Sequence, residues 1–447
     1  MVDKVREIAL KILYKIEEDD GYSNIVLNGE IKNSKIKLDD RDIGLISEIV
    51  YGTVTWKLTI DEIIKKYSKI RLKKISPWII NVLRMGVYQI IFLDKIPKSA
   101  AVNECVNLAK RYGHKSSSNF VNAILRKVTI KDYEELFNIE DEKEKISKTT
   151  SMPLWIIEEL NKEKSIKKVK EICKSSNLHP NMSIRINNLI CNKENLKKIF
   201  DNENIKYVDG NLKDFMILDK TKNIENNIAF KEGLFTIQDE GAGLIPLILD
   251  PNEKDYILDA CSSPGGKTTY ISELMRNKGK IEAWDLYEHR VKLVNDIAKR
   301  LKLTNIESKV NDATIFMQDK VEVFDKILLD VPCLGLGVLK RKPDIKWKRN
   351  KDDISQINEL QYKILETCSK YLKKNGILVY STCSILKSEN EEIIEKFLSL
   401  NKGFDYSKIE LKNENKYYEK FIESGKYIKL YQDNNNDGFF VCKLQKK

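Results

Sequence analysis

Ile257-Leu258-Asp259-Ala260-Cys261-Ser262-Ser263-Pro264-Gly265-Gly266-Lys267-Thr268 passes from an aliphatic run into a Gly-rich turn and then into a helix start. A short run that is apolar on both faces reads as a buried parallel strand. Glycines in the turn let a ligand approach the backbone closely and aim free N–H groups at it. Three ligand classes compete for such a turn. A phosphate-binding P-loop needs G-x-x-x-x-G-K-[ST]. Gly266-Lys267-Thr268 supplies its end, but Cys261 stands where its first glycine belongs. The dinucleotide fingerprint G-x-G-x-x-G is absent. S-adenosyl-L-methionine, which binds at the same topological place with looser glycine spacing, is the third.

Downstream, residues 280–284, 306–310, 326–329 and 376–380 read as further strands, with helical stretches at 290–301 and 354–372. This alternation predicts an α/β fold with a doubly wound, Rossmann-like parallel sheet. Such a sheet binds ligands outside the carboxyl ends of its strands. Asp285 ends the second strand, where a carboxylate can accept both ribose hydroxyls. Asp312 follows the third, where one can meet the adenine amino group. Asp330 ends the fourth. A single acidic residue at a strand end is usually an exposed loop residue. Three in register with a Gly-rich first turn favour S-adenosyl-L-methionine.

Working toward the N-terminus, Val5, Ile8, Ala9, Ile12, Leu13 and Ile16 keep the 3.6-residue period of a helix. Further helices are expected over 40–56, after Ser76-Pro77, around Val102, Val106 and Ala109, and around Phe120, Ile124 and Leu125. Residues 1–130 therefore read as one all-α domain. The charged stretch Glu140-Asp141-Glu142-Lys143-Glu144-Lys145 marks 131–150 as a linker or a solvated helix. Met182, Ile184 and Ile186 alternate as a half-buried strand does, followed by a helix over 194–200 and a strand over 215–218. Residues 151–240 read as a small α+β domain, and 241–447 as the catalytic sheet.

The chain has 447 residues, enough for two or three domains. No uncharged apolar run is long enough to span a membrane, and the charged start Met1-Val2-Asp3-Lys4-Val5-Arg6-Glu7 has no signal-peptide core. A cytoplasmic protein, monomeric and without a membrane partner, is expected. Lys and Arg number 78 against 67 Asp and Glu, a net charge of +11, which suits a nucleic-acid partner. The eight cysteines form no C-x-x-C pair and only three histidines accompany them, so no metal site is expected.

Two of those cysteines close apolar runs, in Ile327-Leu328-Leu329-Asp330-Val331-Pro332-Cys333 and Gly376-Ile377-Leu378-Val379-Tyr380-Ser381-Thr382-Cys383. A lone cysteine is usually an inert buried thiol. Two thiols at carboxyl strand ends beside a methyl-donor pocket suggest nucleophilic catalysis. A pyrimidine C5 takes a methyl group poorly on its own. A thiolate adding to C6 makes C5 enamine-like and able to attack the sulfonium methyl.

These residues resemble the RNA cytosine-5 methyltransferases of the Nop2/Sun family. Asp259 to Thr268 is similar to its donor motif, and Asp330-Val331-Pro332-Cys333 and Ser381-Thr382-Cys383-Ser384 to its two cysteine motifs. Asn436-Asp437-Gly438-Phe439-Phe440 and Phe235-Thr236-Ile237-Gln238-Asp239-Glu240 resemble two flanking elements of that family. Leu83-Arg84-Met85-Gly86-Val87-Tyr88-Gln89 and Phe120-Val121-Asn122-Ala123-Ile124-Leu125-Arg126-Lys127 resemble a NusB-like RNA-binding domain. That combination is the arrangement of the Sun (RsmB) subfamily, which acts on small-subunit ribosomal RNA. The resemblance implies methyl transfer from S-adenosyl-L-methionine to C5 of one cytosine in 16S rRNA, suggested by the family to be cytosine 967, through a covalent adduct at C6. It implies Cys383 as nucleophile, Cys333 as the cysteine that assists release, and Asp330 between donor and cytosine. It implies donor contacts from Cys261, Ser262, Ser263, Pro264, Gly265, Gly266, Lys267, Asp285, Asp312 and Asp330. Leu334 and Leu336 depart from the family, which has small polar residues there.

Lys340-Arg341-Lys342-Pro343-Asp344-Ile345-Lys346-Trp347-Lys348 follows Cys333 directly. Cations around an aromatic suit phosphate contact and base stacking, so Lys340, Arg341, Lys342, Lys346, Trp347 and Lys348 are the expected RNA contacts. A second basic run, Lys65-Lys66, Lys69, Arg71 and Lys73-Lys74, reads equally well as a solvated face. Three competing functions stay open. They are reversed cysteine roles, as in DNA cytosine-5 methyltransferases; methylation of another RNA; and a non-enzymatic RNA-binding or ribosome assembly factor.

Overall fold

The computed structural model describes residues 3–19, 21–34, 36–219, 224–411, 413–433 and 435–447. Residues 1, 2, 20 and 35 of the expected helical domain, 220–223 of the expected small domain, and 412 and 434 of the expected catalytic domain lie outside them. The chain forms two compact units, Met1–Leu178 with Leu339–Lys351, and His179–Val338 with Asp352–Lys447. Among the described residues no helix is long and apolar enough to cross a membrane.

The first unit is all helical. Asp3 caps the helix Lys4–Glu18 by accepting the Val5 N–H at 2.8 Å, and Ile8, Ala9, Ile12 and Leu13 face inward. Asp39 and Asp42 form a capping box for Asp40–Thr55. Pro77 opens Pro77–Phe92, a helix buried along most of its length and packed on Lys98–Tyr112. Two helices that the periodicity did not single out, Ser23–Lys32 and Lys57–Tyr67, complete this layer.

The structure corrects the expected linker. Residues 131–150 carry the helix Glu142–Thr150, with Ile146, Ser147, Thr149 and Thr150 buried. The Thr59 hydroxyl donates to the Lys148 carbonyl at 2.6 Å, and the Leu58 N–H donates to Ser151 Oγ at 3.0 Å. The charge run marks only the outer face of this segment. Leu154–Asn161 and Ile166–Ser175 are helices that cluster with the first unit and precede the first strand of the small sheet, Met182–Ile186.

The second unit holds two sheets. The smaller has strand order Tyr207–Asp209, Phe215–Leu218, Met182–Ile186, Phe235–Ile237, all antiparallel. In the larger sheet Ile306–Val310, Lys280–Asp285, Tyr256–Asp259, Phe324–Asp330 and Leu372–Thr382 run parallel in that order. Phe439–Lys446 then pairs antiparallel with Leu372–Thr382, making the sheet mixed rather than purely parallel. Strand order reverses between Tyr256–Asp259 and Phe324–Asp330, which opens the ligand crevice of a doubly wound sheet at their carboxyl ends.

One arginine fastens the small sheet to the helix Gly266–Leu274 that leaves this crevice. Strand alternation sends Ile184 and Ile186 into the small core and Arg185 to the other face. Its Nε and Nη2 donate to Glu273 at 3.0 and 2.6 Å, and Nη1 donates to the Gly266 carbonyl at 2.9 Å. Nη1 also donates to Gln238, and the guanidinium sits 4.5 Å from the Tyr270 ring centre. Arg185 and Glu273 are both buried, so removing one partner strands the other's charge. Arg185→Met is expected to destabilise this unit by about 3–5 kcal/mol in urea unfolding. Arg185→Lys will not restore the loss, because an ammonium lacks the fork that spans Glu273 and Gly266.

Candidate functional site

The turn after Tyr256–Asp259 is locked before any ligand arrives. The Ser262 N–H and hydroxyl both donate to the Trp284 carbonyl, at 2.8 and 2.9 Å, tying the turn to the second strand. Gly265 holds φ at +109°, a region open to glycine, and a Cβ there would lie 3.1 Å from Val294 Cα. Gly265 caps the helix Gly266–Leu274, so its first N–H groups face the crevice with Ser263, Pro264 and Gly266 beside them. Burial pushes the Cys261 thiol well above its usual range, with Cys368 and Asp259 adding to the push.

Asp259 lies beneath this turn, 1% exposed, and accepts the Thr268 hydroxyl on Oδ2 at 2.7 Å. Its Oδ1 has no hydrogen-bond partner. Burial pushes its carboxyl up to about 7, against the Thr268 bond and with help from the charge of Asp330. Asp285 ends the second strand, buried, accepting the Tyr287 N–H at 3.3 Å, with Arg290 Nη2 at 3.4 Å. Asp312 accepts both the Thr314 N–H and hydroxyl on Oδ1, at 2.8 and 2.7 Å. The glycine cradle and the carboxylates after successive strands fit a nucleoside sulfonium, and Cys261 in place of the first glycine sets the turn apart from a P-loop.

Two thiols close the other side of the crevice. Cys333 Sγ and Cys383 Sγ are 2.9 Å apart, in a hydrogen bond that either can donate. That bond first, then burial, then the charges of Cys383, Glu389 and Asp330 push the Cys333 thiol well above its usual range. Asp330 accepts Lys267 Nζ at 2.6 Å on one oxygen and the Ser381 hydroxyl at 2.8 Å on the other. Burial works against the Lys267 charge, but Asp330, and beyond it Cys383, hold the ammonium protonated. Donor turn, carboxylate and thiols thus share one crevice.

The loop after Cys333 carries the two leucines that depart from the family. Both are buried, Leu334 at 1% and Leu336 at 0%, so they serve as core here. The loop keeps its polar ties through the backbone. The Leu334 N–H donates to Glu389 Oε2 at 2.9 Å and the Gly337 N–H to the Cys383 carbonyl at 2.8 Å. Gly337 is required there, because a Cβ would meet the Gly438 carbonyl at 2.1 Å.

The expected RNA contacts divide, and the structure corrects two of them. Lys346 is 1% exposed inside the helical unit, where Nζ donates to the carbonyls of Thr55 and Ser151 and to Asn177 Oδ1 at 3.1, 3.2 and 2.9 Å. Burial lowers its pKa to about 7. Trp347 packs against the same helical core and its Nε1 donates to the Val54 carbonyl at 2.7 Å. Both are structural anchors. Lys342 is exposed, Lys340 and Arg341 are half-buried, and Lys348 lies 4.6 Å from the ring centre of exposed Tyr22. In the second basic run, Lys65, Lys69, Arg71 and Lys73 line a cleft of about 730 Å³ in the helical unit, while Lys66 pairs with Asp132 and Glu135.

Sequence reasoning missed Glu389 and Gln361. Buried Glu389 accepts the Ser384 hydroxyl, the Leu334 N–H and Gln361 Nε2, the last at 3.1 Å. Gln361 also donates to the Pro332 carbonyl at 2.9 Å. One signal was available, since helical spacing puts Gln361 on the same face as Leu365 and Cys368, a polar side chain in an apolar stripe.

The family description 16S rRNA methyltransferase RsmB/F matches residues 246–445, the NusB family matches 3–129, and a ferredoxin-like domain of RsmF/B-like methyltransferases matches 152–225. A probable ribosomal RNA small subunit methyltransferase B from Bacillus subtilis is 36% identical over 99% of both chains. The crystal structure of PH0851 superposes with a TM-score of 0.83 at 26% identity over 100% of both chains. A methyltransferase homolog from Pyrococcus horikoshii gives 0.59 at 27% identity, covering 69% of this chain and 100% of that one.

The Asp259 carboxyl gives a pH signature. Its folded-state value of about 7 lies above the usual 3.9 or so of an unfolded aspartate. The folded state therefore holds this proton longer, and the contribution to stability is full below about pH 4, falls as pH rises to about 7, and is level above. Asp259→Asn keeps an acceptor for Thr268, so urea unfolding across this range should lose that fall. An unchanged slope would refute the assignment.

Proposed function

The chain belongs to the RsmB/F family of 16S rRNA methyltransferases, and from that premise we propose that it methylates C5 of one cytosine of 16S rRNA, with Cys383 bonded transiently to C6 of the base. Ribosomal RNA methylation from S-adenosyl-L-methionine follows from the family. The cytosine chemistry rests on one observation above all, the two thiols 2.9 Å apart beside the Lys267–Asp330 pair.

Bound S-adenosyl-L-methionine supplies the methyl group as a sulfonium. The turn from Cys261 to Lys267, with Asp285, Asp312 and Asp330, holds and orients it. The chain's own residues carry the rest. Cys383 adds to C6 as a thiolate, which turns C5 into a nucleophile. Asp330 faces the N3/N4 edge of the base, fixed in place by Lys267 and Ser381. After C5 has taken the methyl group and a base has removed its proton, Cys333 assists the departure of Cys383 from C6. A paired cytosine must leave its stack to reach these thiols. Lys340, Arg341, Lys342 and Lys348 contact the RNA, and Lys69, Arg71 and Lys73 contact its phosphates, all from the helical unit. The substrate is free or partly assembled small-subunit RNA in the cytoplasm, taken by a single chain.

Cys383→Ala is expected to bring methylation, read by bisulfite sequencing of 16S rRNA, to background. Cys333→Ala is expected to accumulate a protein–RNA band that survives a denaturing gel. A stable band from Cys383→Ala in place of Cys333→Ala would reverse the roles of the two cysteines.

A further inference from the structure

Cys333 and Cys383 are brought together by backbone that other groups hold in place. Their strands pair as far as Asp330 opposite Ser381. Past that point the Val331 N–H donates to the Ser381 carbonyl at 3.1 Å, and the Gly337 N–H to the Cys383 carbonyl at 2.8 Å. Glu389 ties both loops again, accepting the Leu334 N–H at 2.9 Å and the Ser384 hydroxyl. The two sulfurs are left 2.9 Å apart. Bonded sulfurs lie about 2.0 Å apart, so less than about 1 Å of approach separates this pair from a disulfide. Neighbouring strands run about 4.8 Å apart, inside the Cα separation of about 4.4–6.8 Å that a disulfide spans.

Both thiols are half-buried, whereas Cys105, Cys173, Cys191, Cys368 and Cys442 are buried. A small oxidant reaches whatever an RNA base must reach. An accessible thiol beside a second thiol turns oxidation into a disulfide, because the first oxidised sulfur meets a partner before it takes more oxygen. Both cysteines belong to the chemistry proposed above, so one bond removes both at once. The donor turn is held separately, by Ser262 on the Trp284 carbonyl and by Lys267 on Asp330.

We propose that Cys333 and Cys383 form a redox switch: a peroxide converts the pair into a reversible disulfide that stops methyl transfer and leaves the donor site able to bind. One thiolate breaks the O–O bond and becomes a sulfenic acid. The hydroxide released takes up the proton that this thiol had given and leaves as water. The second thiol displaces the sulfenic oxygen, with its own proton, as another water, and the S–S bond forms. Two thiols are oxidised and one peroxide is reduced to two waters. A dithiol restores the pair by exchange. The loss of methyl transfer rests on the proposed roles of the two cysteines, while formation of the bond does not.

The test treats the full wild-type chain with hydrogen peroxide, caps the remaining thiols with iodoacetamide, and maps the peptides by mass spectrometry without reduction. A peptide linking Cys333 to Cys383 is expected. Methylation of 16S rRNA should fall in proportion to the linked fraction and return with dithiothreitol. Calorimetry should find S-adenosyl-L-homocysteine bound as tightly by the oxidised chain as by the reduced one. Cys383 carried to sulfinic acid with no linked peptide overturns the inference, as does a link from either cysteine to Cys261. Methylation that persists in the linked fraction, or donor-site binding lost with it, also overturns it. In Cys333→Ser the second sulfur is gone, so Cys383 is expected to reach sulfinic acid, which dithiothreitol does not reverse. Cys383 equally protected in that variant counts against the pair. The wild-type peptide map decides the matter if the variant does not fold. A Cys383→Ala chain that still methylates RNA sinks the proposed nucleophile and leaves the wild-type linkage standing, so the two failures are distinct.

Discussion

The pairing of two neighbouring parallel strands, Phe324–Asp330 and Leu372–Thr382, is the constraint on which the crevice depends. Their register sets Asp330 opposite Ser381. The Ser381 hydroxyl reaches the Asp330 carboxylate across that step, and the two cysteines follow within three residues on either strand. A slip of one residue would move a thiol by about 3.3 Å and turn every side chain to the opposite face. The register is held by the buried rows Ile327–Leu329 and Leu378–Tyr380. The core of the sheet and the distance between two sulfurs are thus one geometric fact.

Around that register the polar groups are divided by sign. Lys267, from the donor turn, meets Asp330, and Glu389 gathers donors from both cysteine loops. Arg185 reaches in from the small sheet to Gly266 and Glu273 on the donor helix. Lys267, Arg185 and Glu389 each have an opposite charge or hydrogen-bond donors within reach, as a low-dielectric interior requires. The small sheet thereby becomes a brace for the methyl-donor turn as well as a surface of its own.

Much of this was legible in the sequence. Apolar runs marked the central strands Tyr256–Asp259, Phe324–Asp330 and Leu372–Thr382, because a strand buried on both faces has few alternatives. The glycine turn and the carboxylates at strand ends showed where a ligand belongs because fold topology puts them there. Glu389 and Gln361 escaped because their partners lie 55 and 29 residues away in sequence and are brought near only by the finished sheet. Arg185 escaped because alternation along an isolated strand cannot tell solvent from a second layer. Lys346 and Trp347 were misread for a related reason. A basic run looks wet on paper, but the carbonyls of Thr55 and Ser151 lie ready to take the ammonium inside the helical unit. The supposed linker was misread through its charges, which cover one face of a packed helix.

The segment Leu339–Lys351 belongs by its contacts to the helical unit, although it is encoded in the middle of the catalytic sheet. Lys346 donates to a carbonyl 291 residues earlier in the chain, and the Trp347 indole to one 293 residues earlier. During synthesis the N-terminal helices emerge long before these side chains exist, and domains tend to fold as they appear. The helical unit must therefore wait with an incomplete interior until the catalytic half is well under way. Its last packing step therefore comes only after Cys333 and the loop that follows it have been made.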